Sequence, residues 1–233
     1  MRLFAIADPH LSKAQPKPMD IFGSNWQGHP ELFFENWQKT VYEQDIVLIP
    51  GDISWAMKLE DALLDLEAIA ALPGKKVLLK GNHDYWWTSI SKLRNTLPEG
   101  IYALQNDAIK IGNLVIAGSR GWVCPNSTGF SEKDNKIYLR ELHRLELSIQ
   151  AAQKIKSKDD YFVIMLHFPP TNVRLEPNQV TKLIKEAKPN ALVFGHIHGE
   201  FENSVIKNLA DIDVHFVAAD ALKFVPKLIK DDI

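Results

Sequence analysis

Ile46-Val47-Leu48-Ile49-Pro50-Gly51-Asp52 runs five apolar residues straight into a glycine and a carboxylate. A short unbroken apolar run stopped by Pro and Gly predicts a buried strand, and the residue just beyond it is left at the strand's end. The same punctuation recurs. Leu3 to Ala7 runs into Asp8-Pro9-His10, and Val77 to Leu79 precedes Gly81-Asn82-His83-Asp84. Tyr161 to Leu166 stops at His167, and Ala191 to Phe194 stops at Gly195-His196-Ile197-His198-Gly199. Five of the eight histidines fall inside these fragments, so the histidines are gathered and not scattered.

Between the strands lie helical patterns. Glu31 to Gln44 carries Phe33, Phe34, Trp37 and Val41 at helical spacing, and Leu59 to Ala71 repeats Leu and Ala on one face. Both read as crossover helices packed on a sheet. The longest helical signal is Ser131 to Lys156, with an apolar stripe at Tyr138, Leu142, Leu145, Ile149 and Ala152 and an N-terminal capping pair in Ser131 and Asp134. Leu114 to Ala117 adds a strand, and Ser204 to Ile206 and Val214 to Ala218 are read as two more. Ser12 to Trp26, broken by Pro16, Pro18 and Gly23, is the substantial early loop, placed to shape access to a site at the strand ends. Repeats and low-complexity tracts are absent, and residues 1–233 are expected to form one domain.

Composition narrows the function. Twenty-seven basic residues against 29 acidic ones give no electrostatic footprint for a long nucleic acid, so any attraction to phosphate must be local. No apolar run approaches a membrane span. The opening Met1-Arg2-Leu3-Phe4-Ala5-Ile6-Ala7 reaches its first polar fragment at once, so no secretory signal is expected. One cysteine, Cys124, excludes an internal disulfide and fits a reducing compartment, so a cytoplasmic protein is expected.

Carboxylates, an amide oxygen and imidazoles collected at strand ends are the ligands for a hydrolytic site built on two divalent ions. Two such ions about 3.5–4 Å apart repel, and a carboxylate between them is the natural bridge; Asp52 is the candidate. With Asp8 the second ionised ligand, neutral imidazoles and an Asn oxygen leave positive charge over for a phosphoryl group. A water between the ions would have its pKa lowered towards about 7 and supply hydroxide without a separate base. The remaining task is protonation of the leaving oxygen, which suits a non-ligand histidine. His83, with Asp84 as its imidazole partner, is the candidate acid.

Taken together, Asp8-x-His10, Gly51-Asp52, Gly81-Asn82-His83-Asp84, His167 and Gly195-His196-x-His198 resemble the calcineurin-like metallophosphoesterases. Each fragment alone is a weak signal, but all five in order are highly specific. The resemblance implies one ion on Asp8, His10, Asp52 and His198, the other on Asp52, Asn82, His167 and His196, and His83 as an acid and not a ligand. It also implies an α/β fold, a four-layer α-β-β-α sandwich of two facing mixed sheets flanked by helices, with the metals at strand ends. Manganese, iron, zinc, cobalt and nickel all suit such ligands. Arginines that mark the protein serine/threonine phosphatase branch are missing: Gly51-Asp52 continues Ile53-Ser54-Trp55-Ala56, and Lys80 precedes Gly81. The chain is closer to the smaller bacterial-type phosphoesterases, whose substrates are diverse mono- and diesters.

Around the motifs, Asn82, Trp55, Tyr85 and Arg120 are candidate substrate contacts. Trp86 and Trp87 can either face substrate or plug the core, Cys124 is read as a small buried residue, His143 as a solvated helix-surface histidine, and His29 and His215 as structural. The expected activity is hydrolysis of phosphate mono- or diesters. Its alternatives are a nucleotide or nucleic-acid phosphodiesterase, and a noncatalytic scaffold on the same fold.

Overall fold

The computed structural model describes residues 1–199 and 205–233. Its organisation is set by the alternation within buried strands. In β2 (Ile46–Pro50), Ile46 and Leu48 enter one apolar layer while Val47 and Ile49 enter another. Both faces are covered, which is why the strand reads as continuously apolar.

β2 lies in a five-stranded sheet with β1 (Leu3–Ala5), β3 (Lys75–Leu79), β4 (Ile101–Leu104) and β10 (Lys227–Lys230), in the order β10-β1-β2-β3-β4. The second sheet runs β5-β6-β7-β8-β9, from β5 (Ala108–Ile111), β6 (Leu114–Ser119), β7 (Tyr161–Leu166), β8 (Ala191–Phe194) and β9 (Asp213–Phe216). β10 and β5 are antiparallel edges, and every other pairing is parallel.

Three apolar layers hold this together. Leu3, Ala5, Leu48 and Val77 of the first sheet meet Ile116, Val163, Met165 and Val193 of the second between the sheets. On the outer face of the first sheet, Phe4, Val47 and Leu78 pack with Phe33 and Trp37 of α1 (Glu31–Thr40) and Leu66 and Ile69 of α2 (Leu59–Ala70). On the outer face of the second, Phe162, Ile164 and Phe194 pack with Leu145 and Ile149 of α4 (Glu132–Ile155) and Ile184 of α5 (Gln179–Ala187). The result is the four-layer α-β-β-α sandwich with two mixed sheets. A short α3 (Ile90–Thr96), capped by Ser89, leads into β4.

Several boundaries depart from expectation. α1 ends at Thr40 and not at Gln44, because Val41 turns extended and Tyr42 N–H binds Asp45 Oδ2 instead of continuing the helix. Of the strand expected at Ser204 to Ile206, Ser204 lies outside the described residues, and Val205 and Ile206 adopt no strand. Val214 to Ala218 is strand over Asp213–Phe216, followed by a bridge from Ala218 to Ala7. That bridge matters for function. Ala7 N–H donates to Val217 O at 2.7 Å and Ala219 N–H to Ala7 O at 2.9 Å, joining the two sheets where their carboxyl ends meet. Among the described residues, no helix is long and apolar enough to cross a membrane.

Candidate metal centre

Parallel strands send their carboxyl ends to one edge, so the five polar fragments converge there. The turns that carry them are strained. Asp8, His10, Asp52 and His196 have φ of 58°, 45°, 51° and 73°, a left-handed region that costs non-glycine residues about 1–3 kcal/mol each and persists only where the surroundings enforce it. Here the loops enforce one another: Asp8 N–H donates to Gly51 O and His10 N–H to Asp52 O, both at 3.0 Å. Glycine is required at two close approaches. A Cβ at Gly81 would fall inside van der Waals contact of the Asp52 carboxylate, and one at Gly195 would do the same to Asp8 Oδ2.

Each carboxylate is pinned through one oxygen and presents the other. Asp8 Oδ2 accepts the backbone N–H of His196 at 2.8 Å, leaving Oδ1 buried without a hydrogen-bond partner, 3.6 Å from His167 Nδ1. Asp52 Oδ1 accepts the His83 N–H at 2.8 Å, and its Oδ2 lies 3.8 Å from His10 Nε2 and 3.5 Å from His167 Nε2. Two groupings result, Asp8 with His10 and His198, and Asp52 with His167 and His196, each with ligand atoms within 4.8 Å of one another. Asn82 joins the second, its Oδ1 2.8 Å from His167 Nε2.

The residues present fit divalent ions. Burial, with the Asp52 charge second, pushes the Asp8 carboxyl well above its ordinary range, and burial likewise raises Asp52. Burial drives the imidazoles the other way: His10 far down, His167 to about 3 and His196 to about 2. Neutral His167 therefore owns one N–H but faces two oxygens, Pro50 O at 2.9 Å and Asn82 Oδ1 at 2.8 Å. With the proton on Nδ1, directed at Pro50, Nε2 keeps a lone pair beside Asn82 Oδ1, and a cation there would take both the ring nitrogen and the amide oxygen. His10 Nδ1 is another buried atom without a hydrogen-bond partner.

Two supporting carboxylates complete the site. Asp220, which carries no sequence signal, accepts from His198 Nδ1 at 3.0 Å and directs the other ring nitrogen toward its cluster. Its second oxygen accepts from Asn25 Nδ2 at 2.8 Å, tying the early loop to the centre. Asp220→Ala is expected to weaken binding of one ion about 10–100-fold while sparing the other, read by metal titration with Asn25→Ala as control. Unchanged affinity, or loss of both ions, would count against this role.

Asp84 differs from its expected role as partner of the His83 ring. Its carboxylate accepts from Gly81 N at 2.7 Å, Ile53 N at 2.8 Å, Ser54 N at 3.2 Å and Trp86 Nε1 at 3.0 Å. No hydrogen bond joins it to the His83 ring among the described residues. A carboxylate three positions after Gly81 is taken up by the backbone of its own turn and of the Asp52 turn, and serves as their latch. Burial, then the Asp52 charge, lifts this carboxyl to about 7, against the pull of the backbone donors.

The centre opens into a cavity of about 330 Å³ whose walls include His10, Asp52, His83, His196 and His198, with Met19, Phe22, Trp26 and Trp55 as an apolar rim. His83 faces this space but belongs to neither ligand grouping. Trp55 stacks on His10 at 4.8 Å and meets His83 at 4.5 Å. Met19, Phe22 and Trp26 arrive with the two 3-10 turns of the early loop, Asp20–Phe22 and Ser24–Trp26. Tyr85 is exposed beside His83, their rings 6.4 Å apart. Trp86 and Trp87 are core residues, their indole N–H groups donating to Asp84 and Gln105. Arg120 lines a different cavity, pairs with Glu141 at 3.2 Å and lies over Trp122. Cys124 is buried, which pushes its thiol up to about 12 and makes it inert. His29 binds Pro9 O and packs between Trp26 and Phe224, a support for the early loop.

Comparison with known proteins agrees with this geometry. Among curated proteins, no relative matches. Solved structures of similar fold include TT1561 of Thermus thermophilus, 16% identical, covering 91% of this chain and 87% of that one with a TM-score of 0.58. A protein of unknown function from Aquifex aeolicus is 19% identical over 97% of this chain and 95% of its own, with a TM-score of 0.52. The phosphopantetheinyl hydrolase of Mycobacterium tuberculosis is 12% identical over 99% and 96%, also with a TM-score of 0.52. The family model for calcineurin-like phosphoesterases matches residues 1–200, spanning every motif from Asp8 to His198. The chain belongs to the calcineurin-like phosphoesterase family.

Proposed function

We propose that the protein is a dinuclear metal-dependent phosphoesterase acting on small phosphate esters, with Asp52 shared by two divalent ions and His83 protonating the leaving oxygen. The observation that carries this reading is Asp52 Oδ2, placed between His10 Nε2 and His167 Nε2 at 3.8 and 3.5 Å, at the meeting of the two ligand groupings. When bound, the ions polarise phosphoryl oxygens and lower the pKa of water. Asp8, His10 and His198 would hold one ion, and Asn82, His167 and His196 the other.

The remaining work falls to the chain. The main chain at His83 is tied to the shared carboxylate, because its backbone N–H donates to Asp52 Oδ1. Its ring, against Trp55, faces the cavity where a leaving oxygen would emerge. Met19, Phe22 and Trp26 give the rim an apolar face that accommodates an organic leaving group and excludes water from it. A scaffold would have no use for a full ligand set and a separate cavity-facing histidine, which favours the enzyme.

The substrate class is tested by assaying metal-reloaded protein on phosphate monoesters, phosphodiesters and, after the M. tuberculosis neighbour's name, a phosphopantetheinyl ester. Absence of turnover on all of them would refute the reading. His83→Ala is expected to retain its ions and lose about 10²–10⁴-fold in rate on esters with poor leaving groups, with a much smaller loss on nitrophenyl phosphate. Loss of an ion, or equal slowing of both substrate types, would remove His83 from the acid role.

A further inference from the structure

Beside the metal centre, and sharing no wall residue with its cavity, lies a second hollow of about 280 Å³ at the carboxyl ends of β3, β4 and β6. Four cations line it, Lys80, Arg120, Arg140 and Arg144, against one anion, Glu141. All three arginines address the same Glu141 oxygen, Oε1: Arg144 Nη1 at 2.8 Å, Arg120 Nη2 at 3.2 Å and Arg140 Nε at 3.7 Å. Glu141 is only 2% exposed, so its charge is real to its neighbours, but one carboxylate balances one guanidinium. Lys80 forms no salt bridge among the described residues, and Arg120 Nε is buried without a hydrogen-bond partner. Several cations whose nitrogen donors exceed the acceptors available constitute a site built for an anion with more than one oxygen.

We propose that this hollow binds a phosphate-class anion, separately from the metal centre. Arginine forks and a lysine point charge match a tetrahedral oxyanion, and a volume of about 280 Å³, just under the roughly 300 Å³ at which drug-sized ligand pockets begin, suits a small anion. Its position ties it to the catalytic edge. Lys80 immediately precedes Gly81-Asn82, and Arg120 O accepts the N–H of His167 at 3.2 Å and of Phe168 at 2.9 Å. Two sources share the chemistry: a distal phosphate on the substrate, or free phosphate.

Phosphate titrated calorimetrically into metal-loaded protein is expected to occupy two sites per chain, one at the centre and one in the hollow. In Arg144→Gln the second site should weaken at least about 10-fold, the scale of one charge-assisted hydrogen bond. Lys80→Gln serves as the second variant should Arg144→Gln fail to fold by circular dichroism. Were no ion bound at the centre, a single site sensitive to Arg144 would still appear, so the two readings fail separately. A lower KM for an ester carrying a second phosphate than for a simple aryl phosphate, erased by the substitution, assigns the hollow to substrate. No KM difference, with the sensitive site retained, assigns it to free phosphate. A single phosphate site at the metal centre of the wild type, or a second site equally tight in both variants, overturns the proposal.

Discussion

Asp52→Asn is expected to lose both ions and at least about 10³-fold in phosphoesterase rate, well beyond the roughly 10–100-fold that follows loss of a residue that only orients a ligand. His10→Ala should cost chiefly one ion. The contrast follows from position: Asp52 Oδ2 faces both His10 and His167, whereas His10 belongs to one grouping. The asparagine can still accept the His83 N–H through its own oxygen, so the turn should keep its shape. Metal-free stability supplies a second readout. Burial raises the folded pKa of Asp52 above its unfolded value, so holding the charge costs the metal-free fold stability at pH above that folded pKa. Asp52→Asn removes the charge, and the metal-free variant should melt no lower than metal-free wild type at neutral pH. Equal, single-ion losses from Asp52→Asn and His10→Ala in metal analysis would contradict the shared carboxylate.

How much of this was legible in the sequence depended on how completely each element is buried. β2, β7 and β8 appear residue for residue at Ile46–Pro50, Tyr161–Leu166 and Ala191–Phe194, because strands covered on both faces leave unbroken apolar runs. The edges left no such trace. β5 and β10 mix lysine with isoleucine or leucine and are part-exposed, so their four-residue segments resemble loops. α5 is only nine residues long, and its capping box of Asn178 and Thr181 was the signal available to find it. At the site, the residues of the two groupings were legible because each fragment that carries them follows its own strand. Asp220 was not, being 22 positions from His198 and brought to it only by the chain crossing at Ala7 and Ala218. Asp84 was legible as a site residue but not in its role, since sequence adjacency to His83 says nothing of the four donors that fold around its carboxylate.

That latch carries the second large effect. Asp84→Ala is expected to destabilise the protein by about 4 kcal/mol or more, because an unpaired buried donor costs about 1–3 kcal/mol and water can reach only some of them. For a chain of this size that is a fall in melting temperature of about 8–16 °C. The two turns it joins carry Asp52 and Asn82, so metal affinity should fall along with stability, although Asp84 belongs to neither ligand grouping. Equilibrium denaturation with metal titration measures both, and a change below about 1 kcal/mol would show that the latch is not needed.

The central claim, two ions sharing one carboxylate, is tested most directly by anomalous X-ray scattering from crystals loaded with Mn²⁺. Two peaks are expected, one bounded by Asp8, His10 and His198 and the other by Asn82, His167 and His196, with Asp52 touching both. A single peak, or two peaks of which only one contacts Asp52, would contradict it.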